Sequence, residues 1–194
     1  MKPLLLAGLI LPAIAYPQER HEIGLTLGAV TGPDRGSLKL SRGTALQANY
    51  GFRLVGSETA ALFLEVHFLA NPQRTITSTD TRATRDVASL YLTPGLRLKF
   101  LPQSRIQPYA AIGGGYALYE QSTTVLSGGP NPAPRTLSRG ALMFGGGVDI
   151  PVFRWFGFRA EVRDFYSGNP AFNIAVPGAG QHNVILGGGF SLHF

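Results

Sequence analysis

The stretch Gly157–Phe165, GFRAEVRDF, alternates strictly: Phe158, Ala160 and Val162 fall on one side, and Gly157, Arg159, Glu161 and Arg163 on the other. A side-chain period of two is that of a β-strand, whose successive side chains point to opposite faces. Charges of alternating sign on one face and apolar groups on the other admit two readings. In a soluble sandwich the apolar face is the core and the charged face meets water. In a membrane barrel the apolar face meets lipid and the charged face is the interior.

Seven further segments show the same period. HEIGLTLGAV sets Ile23, Leu25, Leu27 and Ala29 against Glu22, Gly24, Thr26 and Gly28. GTALQANYGFRL sets Leu46, Ala48, Tyr50, Phe52 and Leu54 against Gln47, Asn49, Gly51 and Arg53. ALFLEVHFLA sets Leu62, Leu64, Val66 and Phe68 against Phe63, Glu65 and His67, and SLYLTPGLRLKF sets Leu90 to Phe100 against Tyr91, Arg97 and Lys99. QPYAAIGGGYALY, ALMFGGGVDI and NVILGGGFSLHF complete the set, the second placing Asp149 on its polar side. Eight segments of about ten residues match the number and length of strands in a small membrane barrel. Their polar faces are rich in Gly and Ala, with isolated charges of both signs, which suits a narrow interior filled by side chains.

The connections alternate in length. Between the segments stand TGPDRGSLKLSR, VGSET, NPQRTITSTDTRATRD, LPQSR, EQSTTVLSGGPNPAPRTLSR, PVFRW and YSGNPAFNIAVPGAGQ. Long, short, long is the order expected when short turns face the periplasm and long loops face outward. Ser37–Leu40 in the first loop could extend a hairpin, so the pattern allows eight or ten strands.

The expected interior charges are Glu22, Arg53, Glu65, Arg97, Lys99, Asp149, Arg159, Glu161 and Arg163. An isolated charge in so small a barrel is costly, so opposite charges should pair into a salt-bridge plug. The alternative is a narrow polar path for ions or small solutes. The triple glycines at 113–115, 145–147 and 187–189 precede no helix, as a nucleotide loop requires. They read as close strand contacts that leave room for Tyr91, Tyr109 and Tyr119.

Met1–Ala15 carries one Lys, an apolar run and Ala13-Ile14-Ala15, the form of a cleaved signal peptide, too short to span a bilayer. That divides the chain into 1–15, a signal, and 16–194, a barrel domain. The 194 residues contain no Cys, which excludes disulfides and thiol chemistry, and only 14% are charged, too few for a disordered chain. The balance of 17 basic to 11 acidic residues is scattered singly, with no nucleic-acid motif.

With a signal, alternating strands and long–short loops together, the chain resembles the small bacterial outer-membrane β-barrel superfamily. It looks most like the OmpA/OmpX-like domains and the "outer membrane protein beta-barrel domain" family. Pro108–Tyr119, the pair GGGVDI and GFRAEVRDF, and the terminal GGGFSLHF carry the likeness. The resemblance implies an eight-stranded antiparallel transmembrane up-and-down β-barrel in the outer membrane. It implies that Leu186, Phe190, Leu192 and Phe194 form the end-strand signal read by the barrel-assembly machinery, a form of β-augmentation. No peptidoglycan-binding domain is expected after Phe194.

The expected role is structural or surface interaction by a monomer, among outer-membrane lipids and lipopolysaccharide. Arg35, Lys39, Arg42, Arg74, Arg82, Arg85 and Arg135 are the loop cations that would meet lipopolysaccharide phosphates. The alternatives are a narrow channel and a lipid A-modifying enzyme. For the enzyme, Ser191 with His193 and Glu65 with His67 share inward faces, but neither pair makes a complete catalytic set. Two ligands make no metal site. No catalytic residue, metal or cofactor is expected, and no nucleic-acid partner.

Overall fold

The computed structural model describes residues 20–175, 178 and 180–194, so the signal segment lies outside the described residues. Nine strands follow one another: β1 (His21–Thr31), β2 (Lys39–Leu40), β3 (Gly43–Gly56), β4 (Ala60–Thr77), β5 (Asp86–Phe100), β6 (Gln107–Gln121), β7 (Thr136–Phe153), β8 (Phe156–Gly168) and β9 (Gly180–His193). Among the described residues there is no helix.

Every neighbouring pair is antiparallel, and the sheet closes on itself. β1 pairs with β3 on one side, where His21 faces Phe52, and with β9 on the other, where Glu22 faces His193. β4 pairs with both β3 and β5, and the ladder continues through β6, β7 and β8 to β9. The ring therefore has eight strands. β2 is a two-residue addition outside the ring: Lys39 and Leu40 pair with Thr77 and Ile76 at the tip of β4. The extra hairpin that the first loop allowed amounts to this patch and one antiparallel bridge between Arg35 and Leu38.

The barrel is inverted relative to a soluble protein. Leu27, Leu46, Ile112, Leu142, Phe158 and Leu186 stand exposed on the outer wall, while Arg97, Arg159, Arg163, Glu65 and Asp149 are buried. The faces read from the period of two all point as expected, because the pleat fixes them locally. A continuous apolar exterior around a closed ring with no strand edges is what a bilayer requires.

The strands run further than the apolar pattern. β4 continues through Pro72–Thr77, β5 starts at Asp86 and β7 starts at Thr136, all within stretches read as loop. Above the hydrocarbon layer water solvates both faces, so pairing persists where alternation of hydrophobicity fades. Pro72 falls in the bulge between Asn71 and Arg74, where the ladder shifts register. Without an N–H, proline is tolerated there.

Inside the ring the core has two layers. Toward the short turns it is charged. Toward the long loops it is apolar and aromatic, built from Val30, Leu69, Tyr91, Tyr119, Met143, Phe165 and Ile185. The long loops fold over this layer. Leu38, Ala83 and Phe172, one from each of three loops, are completely buried beneath them. Thr84 N–H donates to the Phe172 carbonyl, Leu126 N–H donates to Ala83, and the Asn173 side-chain amide donates to Asn131 at 2.6 Å.

Candidate functional site

The charged layer occupies the short-turn half of the lumen. Glu22 on β1 accepts from Lys99 Nζ at 2.7 Å and pairs with Arg97 Nη1 at 2.6 Å. It also pairs with Arg159 on β8. Asp149 on β7 receives Arg159 Nε at 2.7 Å and lies 2.8 Å from Lys99 Nζ. A level higher, Glu65 on β4 sits 2.7 Å from Arg97 Nε and 2.6 Å from Arg163 Nη1. Glu161 receives Arg163 Nε at 2.9 Å, the Tyr109 hydroxyl at 2.7 Å and the Thr26 hydroxyl at 2.9 Å.

Of the nine charges expected inside, eight are thus buried and joined: Glu22, Glu65, Asp149 and Glu161 against Arg97, Lys99, Arg159 and Arg163. Four carboxylates meet four cations, so no net charge from them is buried. Arg53 stands apart, half-buried at the short-turn mouth. Neutral groups fill the remaining valences. Asn49 donates to Glu65 at 2.9 Å and accepts from Arg159 at 2.9 Å, and Gln47 links Thr26, Glu161 and His67. The Tyr109 ring lies 5.1 Å from the Arg159 guanidinium and 5.3 Å from that of Arg97. Gly147 makes room for it, since a Cβ there would lie 2.7 Å from the Tyr109 hydroxyl. Sequence reading set Thr26, Gln47, Asn49 and Tyr109 on inward faces but not their bridging of the charges, because an amide or hydroxyl on an inward face does not signal its partner.

The two pairs weighed as catalytic are both present as neighbours. His67 Nδ1 is 3.8 Å from Glu65, deep in the layer and away from water. Ser191 Oγ is 3.1 Å from His193 Nε2, and His193 Nδ1 is 3.6 Å from Glu22. The order Ser, His, Glu matches a nucleophilic triad in outline only. Ser191 is fully buried, beyond the reach of a substrate carbonyl, and Glu22 already serves three cations. Among the described residues no three His, Asp or Glu side chains cluster as metal ligands would.

The loop cations divide. Arg35 and Arg74 are not loop-surface groups: both are buried, Arg35 donating to Gln181 and Asn169, Arg74 to Asn183 at 2.6 Å and to the Ser41 carbonyl. Their length lets them reach inward and satisfy the mouth of the barrel. Lys39, Arg82, Arg85 and Arg135 are exposed but paired with Asp34, Asp80, Asp86 and Glu120. Hydrogen bonds from the Arg82 side chain hold the Asp80 carboxyl down at about 2. Arg42 is exposed. Leu186, Phe190, Leu192 and Phe194 lie on the lipid-facing side of the closing strand and its end. One polar pair on that outer wall had no sequence signal: Asp164 and His182 meet at 2.7 Å under the Tyr166 ring.

No family model matches the chain, and no curated protein matches it in sequence. Solved structures do match in shape. Neisserial surface protein A superposes with a TM-score of 0.59 at 14% identity, covering 90% of this chain and 97% of that one. OprG from Pseudomonas aeruginosa gives 0.55 at 14% identity, with 91% and 97% covered. The outer membrane enzyme PagL gives 0.50 at 16% identity, with 89% and 99% covered. The fold is that of the small outer-membrane β-barrels. The apolar belt around a charged lumen is what a chain that spans a bilayer as a barrel requires.

Proposed function

We propose that this chain is a closed, non-conducting outer-membrane barrel with a structural or surface-interaction role. The observation that carries this reading is the double closure of the lumen: a balanced charge network in one half and an apolar layer capped by loops in the other. An eight-stranded interior is just wide enough for side chains to fill, and here they do. A water-filled path would have to break both layers. The long loops would face outward, with Arg42 and the paired cations over lipopolysaccharide phosphates. Leu186, Phe190, Leu192 and Phe194 would serve as the strand read by the assembly machinery, and the barrel would act as a monomer.

A fold that includes an enzyme does not by itself make this chain one. The buried Ser191 and the saturated Glu22 favour a non-catalytic barrel. The test is single-channel recording of the refolded protein in a planar bilayer, with unboiled gel mobility as the check of folding. A shifted band without conductance steps is expected. Stable steps would sink the closed-barrel reading in favour of a channel.

A further inference from the structure

At the long-loop mouth of the lumen three arginines face no carboxylate. The acids in and beside the long loops have partners of their own: Asp34 holds Lys39, Asp80 holds Arg82 and Asp86 holds Arg85. Glu120 holds Arg135, and Asp164 meets His182 on the outer wall. Arg35, Arg74 and Arg139 end on neutral oxygens instead. Arg35 Nη1 donates to Gln181 Oε1 at 3.2 Å, and its Nη2 donates to Asn169 Oδ1 at 2.6 Å. Arg139 Nε donates to the Asn169 carbonyl at 2.7 Å. Arg74 Nη1 donates to Asn183 Oδ1 at 2.6 Å.

Arg35 is 6% exposed and Arg74 2%. Two charges held out of water with no opposite charge are costly. They are the reverse of the layer below, where carboxylates match cations one for one. The groups also converge. Arg35 and Arg139 share Asn169. Gln181 and Asn183 are both buried on β9 and stand two residues apart, so the anchors of Arg35 and Arg74 are roughly 7 Å from each other. Arg35 Nε is shielded from solvent and donates to no acceptor.

A hydrogen bond to an ionised oxygen is about twice as strong as one to a neutral oxygen. An oxyanion therefore outcompetes Asn169 for Arg35 and Arg139. Asn169 is only half-buried, so water reaches the place of exchange. Its Oδ1 also accepts from Ala171 N–H at 2.8 Å, at the start of the left-handed turn that carries Phe172 into the cap.

We propose that Arg35, Arg139 and Arg74 bind a phosphate group from the aqueous side of the long loops, in exchange for the oxygens of Asn169. Guanidiniums that arrive from the first loop, the tip of β4 and the start of β7 suit an anion with oxygens on several sides. The phosphate is either free or borne by a soluble sugar phosphate.

The test uses the folded full chain in uncharged detergent, titrated with inorganic phosphate at constant ionic strength and followed by amide chemical shifts. Saturable shifts are expected at 34–38, 138–140, 168–173 and 181–183. Arg139→Gln removes a half-buried cation and should leave the gel mobility of the folded barrel unchanged. It should bind phosphate about tenfold more weakly, the loss of one charge-assisted contact. Arg35→Gln should lose saturable binding; if it does not fold, Arg139→Gln decides. Arg42→Gln, an exposed change in the first loop, should bind as wild type does. The titration is repeated with glucose 6-phosphate. Saturable shifts with this probe assign a sugar phosphate, and saturable shifts with inorganic phosphate alone assign the free anion. No saturable shift with either probe, or equal affinity in wild type and Arg139→Gln, overturns the proposal. Neither overturning result would touch the conductance test of the closed barrel.

Discussion

Arg97 shows what a single residue does in this lumen. It is fully buried and approaches three carboxylates, Glu22, Glu65 and Asp149, while its guanidinium lies 4.7 Å from the Phe63 ring centroid. Removing one partner of a buried ion pair is far worse than never having built it, because the remaining charge stays in low dielectric uncompensated. Arg97→Met keeps most of the side chain's bulk and strands negative charge. It is expected to destabilise the barrel by about 3–5 kcal/mol, read as a lower urea midpoint for loss of the unboiled gel shift. A midpoint within error of wild type would mean that the network is not what holds the lumen. Glu22 and Arg97 were both legible in the sequence as inward charges. Their contact was not, since they are brought together from strands on opposite sides of the first hairpins.

Among the strands, the seam between β1 and β9 closes the ring and leaves no room for a side chain at Gly189. Gly189 faces Thr26 across it, and a Cβ at Gly189 would stand 2.0 Å from the Leu25 carbonyl oxygen and 2.7 Å from the Thr26 Cα. These are backbone atoms, which cannot rotate away, so any side chain there must push the two strands apart. Gly189→Val is expected to prevent ring closure and abolish the heat-modifiable band. The same band at the same yield would show that the seam can widen. Gly188, with only the Arg159 carbonyl oxygen near, at 3.8 Å, should accept Ala with little effect and serves as the control. The sequence placed a glycine cluster on this strand, and reading it as close strand contact follows from the lack of a helix. Which of the three glycines is indispensable depends on the register with β1.

For the whole molecule, the two closures act in series. Phe172 enters the outer layer from the last long loop, packing edge-on against Tyr119 at 5.8 Å. It does so from three consecutive non-glycine residues in the left-handed region, Ala171, Phe172 and Asn173, with φ of 59°, 45° and 72°. Such conformations are unfavourable for L-residues and persist only when packing and hydrogen bonds hold them. Phe172→Ala should loosen the cap, with faster amide exchange in the loops, and still give no conductance, because the charged layer below remains shut. Conductance steps in this variant would show that the cap alone closes the barrel.

The sequence by itself, though it left eight or ten strands open, determined the face each strand presents, the order of short and long connections, and the identity of the inward charges. All of these follow from the period-two pleat and from turn composition, which are local. The tertiary structure alone decided which charge meets which, and that eight of them close into a balanced set while Arg53 remains at the mouth. It also decided that Arg35 and Arg74 turn inward, that strands persist above the apolar belt, and that the loops form a cap. The reason is that ring closure and strand register set which inward residues share a level in the lumen. Residues as distant in sequence as Glu22 and Arg159 then become neighbours through geometry that no single segment contains.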